Sequence, residues 1–304
     1  MKLKSYAKLN LYLEVLDKRK DSYHNLVILF ERISLCDEIL LTGRSDNKII
    51  VSCSHPHVPG GENNLAFRAA VLLRKEAGID KGANIKIDKH IPVAAGLGGG
   101  SSNAAAALVG LNRLWKTKLS RKRLVELAGK LGADIPFFLY DEPFAIATGR
   151  GDKITPVSGI KRKIWHILVV PRLLVSTRSI YKALEGQRKR LSGSDSPGLA
   201  VNGSHLTGLT KALNNVKILS LALKKGSAPL EATFLFNRLE EVTLKKYPQI
   251  KKIKDKLSYL GVEAVLMSGS GAAVFGVVSS RKEGESLQRF FKRSVVESFV
   301  VRAV

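Results

Sequence analysis

Pro92-Val-Ala-Ala-Gly-Leu-Gly-Gly-Gly-Ser-Ser-Asn103 leads without a break into Ala104-Ala-Ala-Ala-Leu-Val-Gly-Leu-Asn112, an apolar run that reads as a helix. Glycines let a loop bring its backbone N–H groups close to a ligand. The helix that follows aims its unpaired N–H groups and the positive end of its dipole at the same point. Such a junction suits a phosphate group. No Lys precedes Ser101, so this is not a Walker A loop, and Ser101 stands where a dinucleotide fingerprint needs its third Gly. A flexible connector capped by Ser or Asn has a similar composition, but the flanks speak against it: Ala83–Ile91, with Ile85 and Ile87 alternating against polar neighbours, reads as a strand. Strand, glycine loop and helix together predict a nucleotide-using enzyme.

At 304 residues the chain suits two compact domains or one large one, and 45% hydrophobic residues suit a folded protein. Met1 to Lys8 holds no continuous apolar run of the signal-peptide kind, and no segment is apolar for the length of a membrane span. Two cysteines, Cys36 and Cys53, make no disulfide framework and lack metal-ligand company. Cytoplasm is the expected compartment, with no membrane partner. The 50 Lys and Arg outnumber the 26 Asp and Glu, giving a net charge of +24 that attracts phosphorylated ligands or nucleic acid. The basic clusters Lys161-Arg-Lys163, Arg188-Lys-Arg190 and Lys245 to Lys256 are not interleaved with aromatics, so they read as solvated surface and not as a nucleic-acid platform.

Residues 3–16 alternate, putting Leu9, Leu11, Leu13 and Val15 on one strand face and Lys8, Asn10, Tyr12 and Glu14 on the other. Further strands are predicted at Leu26–Leu35, Glu38–Thr42, Lys48–Cys53, Phe144–Thr148 and Lys153–Pro156. Helices are predicted from Asn64 to Ala77, with Asn63 or Asn64 as cap and Gly78 as stop, and from Ser120 to Leu131 before Gly132. These make a first domain, 1–157. A second, 158–304, opens with the strand Trp165–Val170. A polar stretch between Glu185 and Thr210 reads as a long loop. Helices are then predicted over Ala212–Lys225, Asn237–Tyr247 and Gln249–Leu260. The hairpin Ala264–Met267 and Ala272–Val278 turns on Ser268-Gly-Ser-Gly271, and Glu283–Phe291 (helix) and Ser298–Val304 (strand) follow.

Several residues are candidates for chemistry. Taken alone, Lys8 fits a surface lysine as well as a phosphate-neutralising one. Asp134, in Gly132-Ala-Asp-Ile-Pro136, fits an N-cap as well as a carboxylate that accepts a hydroxyl proton. Asp21-Ser-Tyr-His24 sets an aromatic ring beside an imidazole, which suits a planar base or mere packing.

Together, Ala7-Lys-Leu-Asn10, Pro92 to Ala104, Gly132-Ala-Asp134 and Ser268-Gly-Ser-Gly271 resemble, in order and spacing, the GHMP small-molecule kinases. Tyr23-His24 with Lys8 resembles the branch that phosphorylates the 2-hydroxyl of a cytidine-diphosphate-linked methylerythritol in non-mevalonate isoprenoid synthesis. The resemblance implies an α+β, two-domain GHMP kinase fold: an N-terminal domain like ribosomal protein S5 domain 2 and a ferredoxin-like C-terminal domain. It implies ATP and Mg²⁺ as cofactors, Lys8 and Asp134 as the catalytic pair, and Asp134 as base. Pro92, Gly96, Leu97, Gly98, Gly99, Gly100, Ser101, Ser102 and Asn103 are then the ATP phosphate site, with Asn64 and Leu65 near adenine. Asn10 faces the polyol, Tyr23 and His24 hold the cytosine, Tyr181 stacks on its other face, and Thr177 lies in the same segment. The hydroxyl of Ser102 is the candidate metal ligand. Two departures from the pattern stand out: Ala94-Ala95 replaces two glycines, and Arg238 replaces an aspartate in Asn237-Arg-Leu-Glu240. The alternatives are mevalonate or homoserine kinases, which have no use for a cytosine clamp, and a non-catalytic RNA-binding protein, which has no use for Lys8 and Asp134 together.

Overall fold

The computed structural model describes residues 1–160, 163–191, 202–225, 234–291 and 296–304. Lys161 and Arg162 of the first basic cluster thus lie outside the described residues. In chain order the elements are β1 (Lys2–Lys18), β2 (His24–Arg44), β3 (Ile49–Cys53), α1 (Leu65–Ala77), β4 (Gly82–Asp88), α2 (Gly99–Leu114), α3 (Arg121–Leu131), β5 (Phe144–Thr148), β6 (Lys153–Pro156) and β7 (Trp165–Pro171). There follow α4 (Thr177–Leu191), α5 (Asn202–Lys225), β8 (Phe236–Asn237), α6 (Glu240–Lys246), α7 (Pro248–Tyr259), β9 (Val265–Met267), β10 (Val274–Val278), α8 (Arg281–Gln288) and β11 (Val296–Arg302).

The first sheet runs β3-β4-β2-β1-β8, with β5 added to β2 and β6 to β5. Helices α1, α2 and α3 cover one face through Ala66, Leu73, Leu108 and Leu127, which pack on Ile39, Leu41 and Ile85. The second sheet runs β11-β7-β10-β9, antiparallel throughout. That order, with helices between its first and second strands and between its third and last, is the ferredoxin-like βαββαβ arrangement. Leu168, Phe275 and Val301 of this sheet meet Leu9, Leu29 and the α5 residues Val216, Leu219 and Leu223 in one cluster. Its other face carries Ile250 and Leu257 of α7 and Leu287 of α8.

Strand β1 runs through the middle of this assembly, and its alternation departs from the sequence expectation. A β-bulge between Asn10 and Tyr12 adds one residue, so the faces exchange beyond it. Leu9 and Leu11 join the cluster between the sheets, as does Tyr12, whereas Leu13 and Val15 join the cluster beneath α7 and α8. The polar face is also not a solvent face: Lys8 is 3% exposed and Asn10 1%.

Other boundaries shift for local reasons. Predicted strands Leu26–Leu35 and Glu38–Thr42 are one strand, β2, irregular near Ser34 and Leu35. Helix α2 opens at Gly99 behind the left-handed Gly98 (φ 69°), so the last glycines and both serines lie in its first turns. Phe236 and Asn237 pair with β1 instead of opening a helix. The predicted loop between Glu185 and Thr210 is largely helical. Ile180 and Leu184 anchor α4 as far as Leu191, and α5 opens at Asn202, with residues 192–201 outside the described set. The caps of α1 and α3 are as expected: Asn64 accepts from Ala66 N at 2.9 Å, Gly78 is left-handed, and Ser120 accepts from Arg123 N at 3.3 Å.

Helix α2 rides close on the sheet. A Cβ at Gly110 would stand 2.3 Å from Leu41 Cδ1 and 2.5 Å from Leu3 Cδ1. Gly110→Val is therefore expected to destabilise the protein by about 1–3 kcal/mol through overpacking. Urea unfolding followed by circular dichroism measures it, and wild-type stability in the variant would contradict this packing.

Candidate active site

Two β-bulges, at Tyr6/Ala7 and Asn10/Tyr12, frame the segment that carries Lys8 and Asn10. The Lys8 backbone N–H donates to Leu97 O at 3.0 Å, so the strand is tied directly to the glycine loop. Its side chain runs beneath Gly98, where a Cβ would come within 3.0 Å of Lys8 Cγ. The ammonium donates to Asn10 Oδ1 and lies 3.7 Å from Asp134 Oδ2. Burial pushes the Lys8 pKa below its ordinary value of 10.5, and the charge and hydrogen bond of Asp134 oppose that shift. Asp134 stands at the N-cap of a short 3-10 helix, Ile135–Leu139, yet its side chain makes no capping bond there. The carboxylate faces Lys8 and is 36% exposed, open to a ligand.

The glycine loop lines a cleft of about 330 Å³, whose far wall is His57, Val58, Pro59, Asn64 and Leu65. Gly96 (φ 77°) and Gly98 hold left-handed backbone, as does Ala94 (φ 55°), one of the alanines that replace glycines. The second sheet closes the loop from the front. Ser268, fully buried in the predicted turn, donates to Gly96 O at 3.1 Å, and Ala273 N donates to Ala95 O at 3.1 Å. Asn237 holds that turn by donating to Met267 O at 2.8 Å and Gly269 O at 2.7 Å. Arg238 beside it is paired with Glu14 at 2.7 Å, which gives the departure at this position a structural use.

Not every predicted residue points at the cleft. Pro92, Ser101 and the glycines line it, whereas Ser102 is 3% exposed and its hydroxyl accepts from Ser5 Oγ at 2.8 Å on the β1 side. The Asn103 amide turns inward to Ser5 Oγ (2.9 Å) and Asp37 Oδ2 (2.8 Å), and the Asn64 side chain is occupied in capping α1. On the opposite side, His24 and Tyr181 come together as stacked rings 5.3 Å apart. His24 also faces Glu185 Oε1 at 3.4 Å, and burial lowers its pKa. Burial raises the Tyr181 pKa, aided by the charge of Asp134. Tyr23 is apart from this pair, 56% exposed. Thr177 Oγ1 meets Ser270 Oγ at 2.8 Å, joining α4 to the turn.

Two groups escaped the sequence reading. Asp37 is fully buried and accepts from Lys89 Nζ (2.7 Å), His90 N (2.8 Å), Ile91 N (2.8 Å) and the Asn103 amide. Lys89 lies on the wall of the cleft beside Gly99, a second cation there. The one available signal was a charged pair, Asp37-Glu38, between the apolar runs of the strand.

Known proteins resemble the chain in sequence and in fold. Family models described as "GHMP kinases N terminal domain" and "GHMP kinases C terminal" match residues 64–142 and 214–297. The 4-diphosphocytidyl-2-C-methyl-D-erythritol kinase of Alkaliphilus metalliredigens is 38% identical over 98% of this chain and 97% of its own length. That of Syntrophotalea carbinolica is 41% identical, again over 98% of this chain and 97% of its own length. A crystal structure of 4-(cytidine 5'-diphospho)-2C-methyl-D-erythritol kinase superposes with a TM-score of 0.74 at 31% identity, covering 100% of both chains. The chain belongs to this kinase family of the GHMP superfamily.

The cleft meets Lys8 at Gly98, and the His24–Tyr181 pair lies near enough to Asp134 for its charge to act on Tyr181. For a metal, the described residues contain no group of three or more His, Cys, Asp or Glu able to enclose an ion. Mg²⁺ rarely needs such a cage: one carboxylate or hydroxyl plus phosphate oxygens and water suffices. The residues present fit that mode, with Asp134 and Ser101 as the groups facing the ligand space.

Gly96 offers a direct test of the cradle. A Cβ there would lie 2.3 Å from Ser268 O and 3.0 Å from Gly271 O, on backbone already at positive φ. Gly96→Ala is expected to weaken ATP binding at least about tenfold and to lower stability by about 1–3 kcal/mol. Calorimetric titration with ATP checks it, and unchanged affinity would show that the loop does not shape the nucleotide site.

Proposed function

We propose that the chain transfers the γ-phosphoryl group of ATP to the 2-hydroxyl of 4-diphosphocytidyl-2-C-methyl-D-erythritol, a step of non-mevalonate isoprenoid synthesis in the cytoplasm. The observation that carries this is the Lys8–Asp134 pair, set between the phosphate cleft and the His24–Tyr181 stack. Residues 1–157 supply the ATP side together with Asn10, Tyr23 and His24, and residues 158–304 add Thr177 and Tyr181 on the substrate side. The first sheet also takes a strand from the second half, β8, and Ser268 returns to the glycine loop.

In this reading Asp134 accepts the proton of the 2-hydroxyl as its oxygen attacks the γ-phosphorus, and the bond to the β-bridging oxygen breaks to release ADP. Lys8 holds positive charge beside both oxygens, and Asn10 orients the ammonium while contacting the polyol. Backbone N–H groups at Gly98–Ser101 and the α2 dipole bind the phosphates, and Lys89 adds charge at the wall. Mg²⁺ bound with ATP neutralises phosphate charge. Tyr23, His24 and Tyr181 hold the cytosine, with Thr177 at the edge of their segment.

Asp134→Asn is expected to lower turnover by about two to four orders of magnitude with ATP affinity retained. The assay is ADP release with the cytidyl substrate, run beside mevalonate and homoserine. Wild-type turnover in a folded variant, or a preference for either other alcohol, would overturn the assignment.

The buried ammonium also sets a pH dependence. Because burial lowers the Lys8 pKa, its charge is lost, and kcat/KM falls with rising pH, before pH reaches 10.5. A pH–rate profile with an alkaline limb at or above the ordinary lysine value would show that burial does not lower the Lys8 pKa.

A further inference from the structure

The turn Gly149–Asp152 joins β5 to β6 and lies against the base-recognition side of the site. Gly149 O accepts from Leu26 N at 2.7 Å, two residues beyond His24. At Gly151 (φ 95°) a Cβ would meet Ile28 Cδ1 at 3.4 Å, Leu26 Cδ1 at 3.7 Å and Ala133 Cβ at 3.9 Å, so the turn also touches the neighbour of Asp134. Its tip residue, Arg150, is fixed to Asp152 Oδ2 through Nε (3.2 Å) and Nη2 (2.8 Å), and Nη2 reaches Gly129 O at 3.4 Å. The held guanidinium lies over the ring of Tyr23, 5.2 Å from its centroid.

Tyr23 needs such a contact. Its backbone is set by a bond from its N–H to Asp21 Oδ1 at 3.2 Å, and Asp21 is gripped by Arg19. The side chain is nonetheless 56% exposed, with one ring face against Arg150 and, among the described residues, no other ring stacked on it. We propose that Arg150 is a positioning residue for cytosine recognition: it packs one face of Tyr23 and presents the other to the base. This rests on the cytidyl-substrate reading above. A planar guanidinium does this better than an ammonium, because it stacks as well as attracts.

Steady-state kinetics of Arg150→Met, Arg150→Lys, Tyr23→Ala and the Arg150→Met/Tyr23→Ala double variant test the proposal, with melting temperatures measured alongside. Arg150→Met is expected to raise KM for the cytidyl substrate about fivefold. KM for ATP should stay unchanged and kcat should stay within about twofold, because a lost stack weakens substrate binding alone. Arg150→Lys should recover part of the loss. In the Tyr23→Ala background Arg150→Met should add less than about 1.5-fold, the mark of two residues acting as one. Additive effects would overturn the proposal, since Arg150 would then act on the substrate without Tyr23. An unchanged substrate KM in Arg150→Met with active enzyme would also overturn it while leaving the kinase reading intact. Failure of the wild type to phosphorylate the cytidyl substrate would instead remove the reading on which it rests.

Discussion

Asp37 carries a charge with no solvent around it, and the phosphate loop is arranged by how that charge is satisfied. Its oxygens receive the Lys89 ammonium, the N–H groups of His90 and Ile91, and the Asn103 amide. A buried carboxylate left without such donors is among the costliest features a fold can hold. The donors come from just before Pro92 and from the second turn of α2, so one residue of β2 pins both ends of the loop. The glycines between those ends are free to take left-handed backbone without letting the loop wander. Preorganisation here is a property of the strand beneath the loop more than of the loop itself.

The same logic governs Lys8. A strand buried on both faces is an unfavourable place for an ammonium, and desolvation acts on it more strongly than Asp134 does. Asn10, Asp134 and the face of Phe30, whose centroid is 5.5 Å from Nζ, together keep the group in place. A charge so poorly solvated interacts strongly with any phosphate brought beside it. The bulges on either side let β1 deliver Lys8 and Asn10 to the loop while its flanking residues feed two separate hydrophobic clusters.

What the sequence made legible was local. Asn64 and Gly78, or Ser120 and Gly132, mark helix ends because capping depends on a few adjacent residues. The glycine run announces itself in the same way. The exchange of faces at Leu11 left no trace, since a bulge inserts a residue without changing composition. Whether Ser101 or Ser102 faces the nucleotide depends on where α2 begins: successive helical residues differ by about 100° in direction. Reading the loop as far as Asn103, with the helix from Ala104, therefore left that choice open. Lys89 and Asp37 were hidden for a different reason, being 52 residues apart in sequence and brought together only by the pairing of β2 with β4. The polar sequence around Arg188 concealed α4, whose anchoring residues Ile180 and Leu184 precede it.

The contact between Ser268 and Gly96 spans 172 residues of chain. A ribosome making this protein releases the loop, α2 and Asp134 long before it reaches the turn that closes over them. During that interval the N-terminal sheet can pair and α1 to α3 can pack on it, but the phosphate cradle lacks its front wall and Asn10 lacks the Ser268 hydroxyl. The cleft proposed above as the ATP site is thus completed late in biosynthesis, with the β9–β10 hairpin. A chain that stops short of this hairpin lacks the front wall of the cleft.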